Sequence, residues 1–271
     1  MKKFIQTFKN IWTIDDLRSK ISVTILLILI YRFGSHVALP GIDPNKLDLQ
    51  SAKKGLLGLF DTFAGGSFSS ASIFALGIMP YISASIFMQL MTILVPQMQK
   101  VQKEGDSGRK KINQWTRYLT ALVTLFQAAA YVAYLKNVSR DALIEAYEPY
   151  FWISTIIVLT AGTLFVMWLG EKIQDKGLGN GTSIIIMVGI LARLPQSFVG
   201  ELGAKQTSGG GGLLLFLIEI AFLFAIILGL ILLVQGVRKV PISYAKQLVG
   251  SRSLSGARQF LPLKVNASGV M

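Results

Sequence analysis

The sequence predicts an all-α membrane protein, a polytopic bundle of transmembrane helices. Its 271 residues are 52% hydrophobic and only 15% charged. Uncharged runs repeatedly reach the roughly 20 residues that an α-helix needs to cross a bilayer. Basic residues are concentrated in alternate loops, which is typical of a chain that crosses a membrane several times.

Uncharged runs bounded by charges, proline or glycine predict six membrane spans. The spans lie near residues 21–39, 67–95, 118–135, 150–170, 181–199 and 213–235. The first five spans form one membrane unit over 21–199. We expect the sixth helix to continue slightly past its span and to cover 213–237. A basic loop over 238–262 follows, and we expect a seventh helix to begin at 263–271.

The first 20 residues predict an amphipathic helix that lies on the membrane surface. Phe4, Ile5, Phe8, Ile11 and Trp12 form one apolar stripe at helical spacing, with lysines around it. The amino terminus, with lysines before the apolar run Ile21–Tyr31 of the first span, resembles a secretory signal, but it lacks a small-residue cleavage site and five more spans follow. We therefore expect it to be retained.

The distribution of charge predicts the orientation. Nineteen of the 27 Lys/Arg residues and six of the 14 acids fall in the N-terminal segment and in every second loop. The other loops balance seven basic against seven acidic residues, and Arg32 and Glu219, placed within spans, cancel. The whole formal charge of +13 therefore lies on one side. The positive-inside rule makes that side cytoplasmic, with both termini in the cytoplasm.

Two charges are placed within spans. Arg32 could extend towards the interface or meet a partner inside the bundle, and its position near a helix end favours the first interpretation. Glu219 is similarly expected at an interface, without a transport role.

The composition excludes several classes of chemistry. The chain has no cysteine, and His36 is its single histidine. Disulfide frameworks, thiolate metal sites and cysteine nucleophiles are therefore excluded. The spans also lack a plausible Ser/His or paired-Asp arrangement, so we expect no enzyme, no catalytic residue, no metal and no cofactor.

The stretch "GLLGLFDTFAGG" (55–66) predicts a short apolar helix between the first two spans. Its apolar residues recur at helical spacing, but it is too short to cross a bilayer. It is either a re-entrant segment or an ordinary amphipathic loop, and the residues alone slightly favour the loop.

The second span carries polar residues on one helical face. Ile78, Ile82, Ser85 and Gln89 fall at helical spacing, so this face changes from aliphatic to polar along its length. Pro80 predicts a kink or a loosened turn, because it donates no amide hydrogen. The small residues nearby could equally serve close packing between helices.

The stretch "KGLGNGTSIII" (176–186) has three glycines before a run of isoleucines. It does not have the spacing of a phosphate-binding loop. We expect a flexible connection before the fifth span, with Asn180 or Thr182 capping the helix.

Long blocks of the sequence resemble the SecY family of protein-conducting channels. The blocks are "YRFGSHVALPGID" (31–43), "FAGGSFSSASIFALGIMPYISASIFMQLMT" (63–92), "KEGDSGRKKINQWTRY" (103–118), "MWLGEKIQDKGLGNGTSIIIMVGI" (167–190), "VPISYAKQLVG" (240–250) and "LPLKVNASGV" (261–270). The resemblance implies an hourglass pore, a ring of aliphatic side chains at its waist and a re-entrant plug helix at 55–66.

The resemblance also implies roles for individual residues. The ring positions are Ile78, Ile82 and Ile186, where a narrow apolar ring blocks ions yet deforms around a polypeptide. The plug residues are Leu56, Leu57, Leu59, Phe60 and Phe63. The lateral gate, where signal sequences enter and hydrophobic segments leave for lipid, is formed by Ser83, Ile86, Phe87, Gln89, Leu90 and Asn266. A docking site for the SecA motor ATPase or the ribosome is formed by Arg238, Lys239, Lys246, Arg252 and Arg258.

The function that the resemblance implies is that of the central pore subunit of a protein-conducting channel. Such a channel moves unfolded secretory proteins across the bacterial plasma membrane and releases signal or transmembrane segments laterally into the lipid. The implied partners are SecE and SecG subunits, SecA, the ribosome, signal peptides, unfolded preproteins and the lipid bilayer. Four more helices follow in the family, so this chain alone is not expected to translocate protein. The alternative is half of a secondary transporter with broken helices.

Overall fold

A computed structural model describes residues 12–43, 46–47, 55–138, 142–144, 148–207, 212–242, 248–249, 252–253 and 259–264. The helical fold class is confirmed. The helices are α1 (Asp15–Gly34), α2 (Gly55–Phe63), α3 (Met79–Leu94), α4 (Pro96–Lys103), α5 (Asp106–Val138), α6 (Glu148–Lys176), α7 (Gly181–Thr207) and α8 (Gly212–Gln235). Short strands follow: β1 (Val237–Ile242), β2 (Leu248–Val249), β3 (Arg252–Ser253) and β4 (Gln259–Lys264).

Fewer helices than predicted have the length and composition of a membrane span. In the described ranges four qualify, within α5, α6, α7 and α8, and the bent pair of α3 and α4 would make a fifth. The first predicted span, 21–39, corresponds to α1, which begins earlier, at Asp15, and ends earlier, at Gly34. α1 is not among the qualifying helices, because every 18-residue stretch of it carries at least three charges. Its charged residues are Asp15, Asp16, Arg18, Lys20 and Arg32. Most of the predicted surface helix, residues 1–11, lies outside the described residues.

The second predicted span, 67–95, is wrong over its first half. Residues 64–78, which we call the turn segment, form successive turns, and α3 begins only at Met79. Pro80 therefore lies in the first helical turn, where no hydrogen-bonded amide is needed, and it does not kink a continuous helix.

The turn segment is apolar and almost entirely buried. Its backbone groups bond to other parts of the chain: the Leu39 amide donates to the Ala71 carbonyl at 2.9 Å, and the Ile73 amide to the Val37 carbonyl at 2.9 Å. The Tyr131 hydroxyl on α5 donates to the Phe68 carbonyl at 2.7 Å. Irregular backbone is tolerated at membrane depth only where protein satisfies it in this way.

A sharp bend separates α3 from α4. The two helices meet at an angle of 101°. Val95 between them is extended, as expected for a residue that precedes proline.

Residues 1–195 form one compact unit. Its larger core joins the loop after α1, the turn segment, α5 and α6. The buried members are Leu39, Ile42, Ala64, Phe68, Ala71, Ala75, Leu76, Ala128, Tyr131, Val132, Leu135, Ala142, Phe151 and Leu159. This core surrounds the turn segment and so determines where α3 begins.

Residues 196–271 form a second compact unit. Within it, Phe198 of α7 packs edge-on against Phe216 of α8, with ring centroids 5.2 Å apart. Glu219 accepts a hydrogen bond from Lys205 at 2.7 Å in an exposed ion pair.

The predicted basic loop, 238–262, contains strands that the sequence analysis missed. Strands β1 and β4 pair antiparallel, with Val237 opposite Lys264 and Ile242 opposite Gln259. The expectation of a helix starting at 263 is wrong for its first two residues, which belong to β4. Residues 265–271 lie outside the described residues.

Candidate functional site

The three predicted ring residues come together in one hydrophobic cluster. Ile78 is buried in this cluster, and Ile82 and Ile186 are partly buried against it. The other buried members come from α1, the turn segment, α6 and α7: Leu27, Tyr31, Phe74, Val166, Leu169, Ile173 and Ile185. Ile82 and Ile186, which are 104 positions apart in the sequence, therefore share one apolar environment.

Two helix starts position these isoleucines. Ile78 is the N-cap of α3, and the Ile82 amide donates to its carbonyl at 3.1 Å, so the two residues lie one turn apart on the same face. Ile186 lies in the second turn of α7, whose start is capped by Asn180: the Asn180 side-chain oxygen accepts from the Thr182 amide at 3.1 Å. The predicted cap by Asn180 is confirmed.

The short helix predicted at 55–66 is present as α2, which ends at Phe63. Its described apolar plug candidates are partly exposed, with Leu59 at 58%, Phe60 at 42% and Phe63 at 41%. The side chains of Leu56 and Leu57 lie outside the described part of α2.

In contrast, a charged residue of α2 is buried. Asp61 is 1% exposed. Its carboxylate accepts a hydrogen bond from the Ser69 amide at 2.8 Å and forms an ion pair with Arg193 of α7. Arg193 also donates to the Ser69 hydroxyl at 3.0 Å. These three residues form a closed polar network, which we call the Asp61–Arg193 network.

A second arginine holds the same region from α1. Arg32 donates to the Gly65 carbonyl at 3.2 Å. The sequence favoured an outward Arg32 side chain, and this interpretation is wrong in that the guanidinium meets a partner inside the protein. Two arginines from different helices therefore contact the start of the turn segment, directly after α2.

Two glycines make this close approach possible. Gly65 has φ +65° and contacts the backbone of Gly189, so a β-carbon there would lie 2.8 Å from the Gly189 Cα. Gly66 has φ +94°, and a β-carbon there would lie 2.5 Å from the Arg193 guanidinium. Both positions combine a positive φ with a close contact, which favours glycine.

Sequence reasoning missed the Asp61–Arg193 network. The only signal was that Asp61 and Arg193 count among the seven acidic and seven basic residues that balance on the predicted outer side. No local pattern links residues 132 positions apart.

The gate candidates on α3 form an exposed face. Ser83 is exposed, as are Ile86 at 37%, Phe87 at 51% and Leu90 at 52%. Gln89 is also exposed, and its side chain lies 3.5 Å from the Ser85 hydroxyl. Asn266, the remaining candidate, lies outside the described residues.

The docking candidates are only partly described. Arg238 and Lys239 are exposed on β1, opposite Leu263 and Pro262 of β4. Arg252 is in β3, and its side chain is not described. Lys246 and Arg258 lie outside the described residues.

The comparison with known proteins identifies the family. A family model for SecY matches residues 72–271. The SecY subunit of the protein translocase of Buchnera aphidicola subsp. Schizaphis graminum is 41% identical over 276 residues, covering 100% of this chain and 62% of its own length. The chain belongs to the SecY family. It spans about three fifths of the length of this SecY relative.

Solved structures share the fold of this SecY-family chain. One, of a SecY protein whose plug domain stabilises the closed channel, has a TM-score of 0.53 and 16% identity, covering 91% of this chain and 52% of that chain. Another, Sec61 in a canine ribosome–channel complex, has a TM-score of 0.50 and 17% identity, covering 88% of this chain and 53% of that chain. At these identities the likeness shows the fold alone. The chain is a multi-pass membrane protein of this fold.

Proposed function

We propose that this chain forms part of the pore wall of a protein-conducting channel. Its activity would be to let unfolded secretory proteins cross and to release signal or transmembrane segments laterally into lipid. The observation that carries this proposal is the gathering of Ile78, Ile82 and Ile186 in one cluster of a SecY-family chain. No hydrolysis is assigned to the chain itself.

A ring of branched aliphatic side chains suits this function. A narrow apolar constriction loses its water and so resists ions, whereas no specific bonds have to break when a polypeptide passes. In this proposal α2 is the plug, and the exposed face of α3 is one wall of the lateral gate. A sufficiently apolar nascent helix leaves through such a gate because lipid solvates it better than water does.

We further propose that the channel lies in the bacterial plasma membrane with the N-terminus in the cytoplasm. The support is the concentration of the net charge on one predicted side. Its proposed partners are SecE and SecG subunits, the SecA motor and the ribosome. The alternative of a secondary transporter gains no support from the relatives, which carry the name of a protein translocase subunit.

Photo-crosslinking in the complete channel tests the gate assignment. The complete channel contains this chain together with the additional length that its relatives have. A photoreactive residue at Ser83 or Ile86 is expected to crosslink to a stalled, signal-bearing chain. The matched control is Phe126 on α5, which is 72% exposed but lies on another helix. Crosslinks from Phe126 and none from Ser83 or Ile86 would contradict the gate assignment.

The docking assignment predicts salt-sensitive binding. Replacing Lys239 with glutamate reverses an exposed charge on β1. We expect it to weaken binding of an acidic partner by about tenfold at 0.1 M salt, and by less at higher salt, because ions screen exposed charges. Affinity is measured for the purified channel with SecA or with ribosomes. Lys46→Glu, an exposed change on the predicted outer side, is the control, and an equal loss from both variants would reject the docking site.

A further inference from the structure

We propose that Asp61 and Arg193 form an ionic latch that holds α2 in the closed position. This inference rests on the proposed role of α2 as the plug. These two residues determine how readily the plug moves.

The described apolar side chains of α2 are only partly packed. The described apolar side chains Leu59, Phe60 and Phe63 are all more than 40% exposed. Phe60 also lines a cavity of about 220 Å³, together with Phe68 and Tyr131, so its ring is incompletely packed. Since burial of apolar area is the usual source of stability, these three side chains stabilise the position of α2 less than fully buried ones would.

Polar contacts also hold α2. Asp61 is buried at 1% exposure, and it is bound from two sides, by the Ser69 amide and by the Arg193 guanidinium. The Gly66 amide donates to the Asp61 carbonyl at 2.9 Å. The latch therefore joins α2, the turn segment and α7 through one carboxylate.

The physics of a buried ion pair suits a gate that must open. The attraction between the two charges is largely offset by the loss of their hydration, so an intact pair stabilises the closed position only modestly. When α2 moves away, both groups regain water. Removing one partner while the other stays buried is far more costly, because an uncompensated charge remains.

The two single substitutions should therefore differ. Arg193→Gln leaves the buried Asp61 carboxylate without its cation, whereas Asp61→Asn leaves Arg193, whose side chain is 28% exposed, free to turn towards water. We expect Arg193→Gln to raise the resting ion conductance of the complete channel by about tenfold. Asp61→Asn should raise it less.

The double variant Asp61→Asn, Arg193→Gln provides the decisive comparison. Two amides can hydrogen-bond to each other without a buried charge, so its resting conductance should fall back towards that of the unmodified channel. A double variant that leaks as much as Arg193→Gln, or more, would overturn the latch. Planar-bilayer recording measures conductance, and the labelling rate of a Thr62→Cys variant reports movement of α2, since these 271 residues contain no cysteine of their own.

Controls separate the latch from the plug role and from misfolding. Replacing 55–63 with a flexible linker should raise conductance if α2 is the plug. If the linker leaves conductance unchanged, the plug role fails; if the linker raises it but Arg193→Gln does not, the latch alone fails. Thr62 is an exposed neighbour whose hydroxyl, among the contacts described, bonds only to the Gly58 carbonyl of its own helix, so Thr62→Ala should have no effect. Arg193→Lys keeps the charge and should leak less than Arg193→Gln, which tests the latch even if the glutamine variant assembles poorly.

Discussion

Replacing Ile82 or Ile186 with asparagine is expected to raise the resting ion conductance of the complete channel by about tenfold. Each substitution introduces an amide into the cluster that gathers the three ring residues. A polar group at an apolar constriction favours water there, and water carries ions through. Single-channel recording in planar bilayers, without a translocating substrate, measures this change.

The matched control is Ile82→Leu, which keeps an aliphatic side chain of the same size. It should leave resting conductance close to that of the unmodified channel. Equal conductance of Ile82→Asn, Ile186→Asn and the unmodified channel would remove these residues from the ring.

Replacing Gly162 with valine is expected to lower the stability of the fold strongly. Gly162 lies within α6, where the Ile73 carbonyl of the turn segment contacts it and a β-carbon would also lie 3.2 Å from the Phe74 ring. The obstructing atoms are mainly backbone, so they cannot move aside easily. We expect the free energy of unfolding of the complete channel to fall by about 3 kcal/mol, which is at the upper end of the usual cost of overpacking a core.

Gly229→Val on α8 is the control for this substitution. Gly229 also lies inside a long helix, but no atom lies within 4 Å of its β-carbon position. Because the change in helix propensity is the same at both positions, the difference in melting temperature isolates the packing against the turn segment. Equal melting temperatures would show that this packing contributes little.

The sequence predicted the long helices because each contains an apolar run long enough to cross a bilayer. α5, α6, α7 and α8 each contain a predicted span, although each extends beyond it at one or both ends. α7, for example, continues through Pro195 to Thr207, past the predicted end at 199. Hydropathy detects the part of a helix that suits lipid, and it does not detect polar turns that continue the helix beyond it.

The turn segment shows where hydropathy misleads. Residues 67–78 have the composition of a membrane helix, yet they form turns because protein, and not lipid, surrounds them. The bonds from Leu39, Ile73 and Tyr131 that satisfy this backbone come from residues distant from their partners in the sequence. Composition does not distinguish burial in protein from burial in lipid.

The ring candidates were identified by resemblance, and the structure placed all three in one cluster. The basic strands were not predicted. Their residues were read as a charged loop, and the pairing of β1 with β4 joins segments more than 15 residues apart. Such pairing depends on contacts that a single local pattern does not contain.

By itself the sequence determined that the chain is a helical membrane protein and that its positive charge is concentrated in alternate loops. These properties follow from composition and from the cost of placing charge in lipid. Only the tertiary structure decided where α3 begins, that Arg32 binds the Gly65 carbonyl, and that Asp61 meets Arg193. The physical reason is that a buried polar group must find a partner in space, and the partner's position depends on how the helices pack.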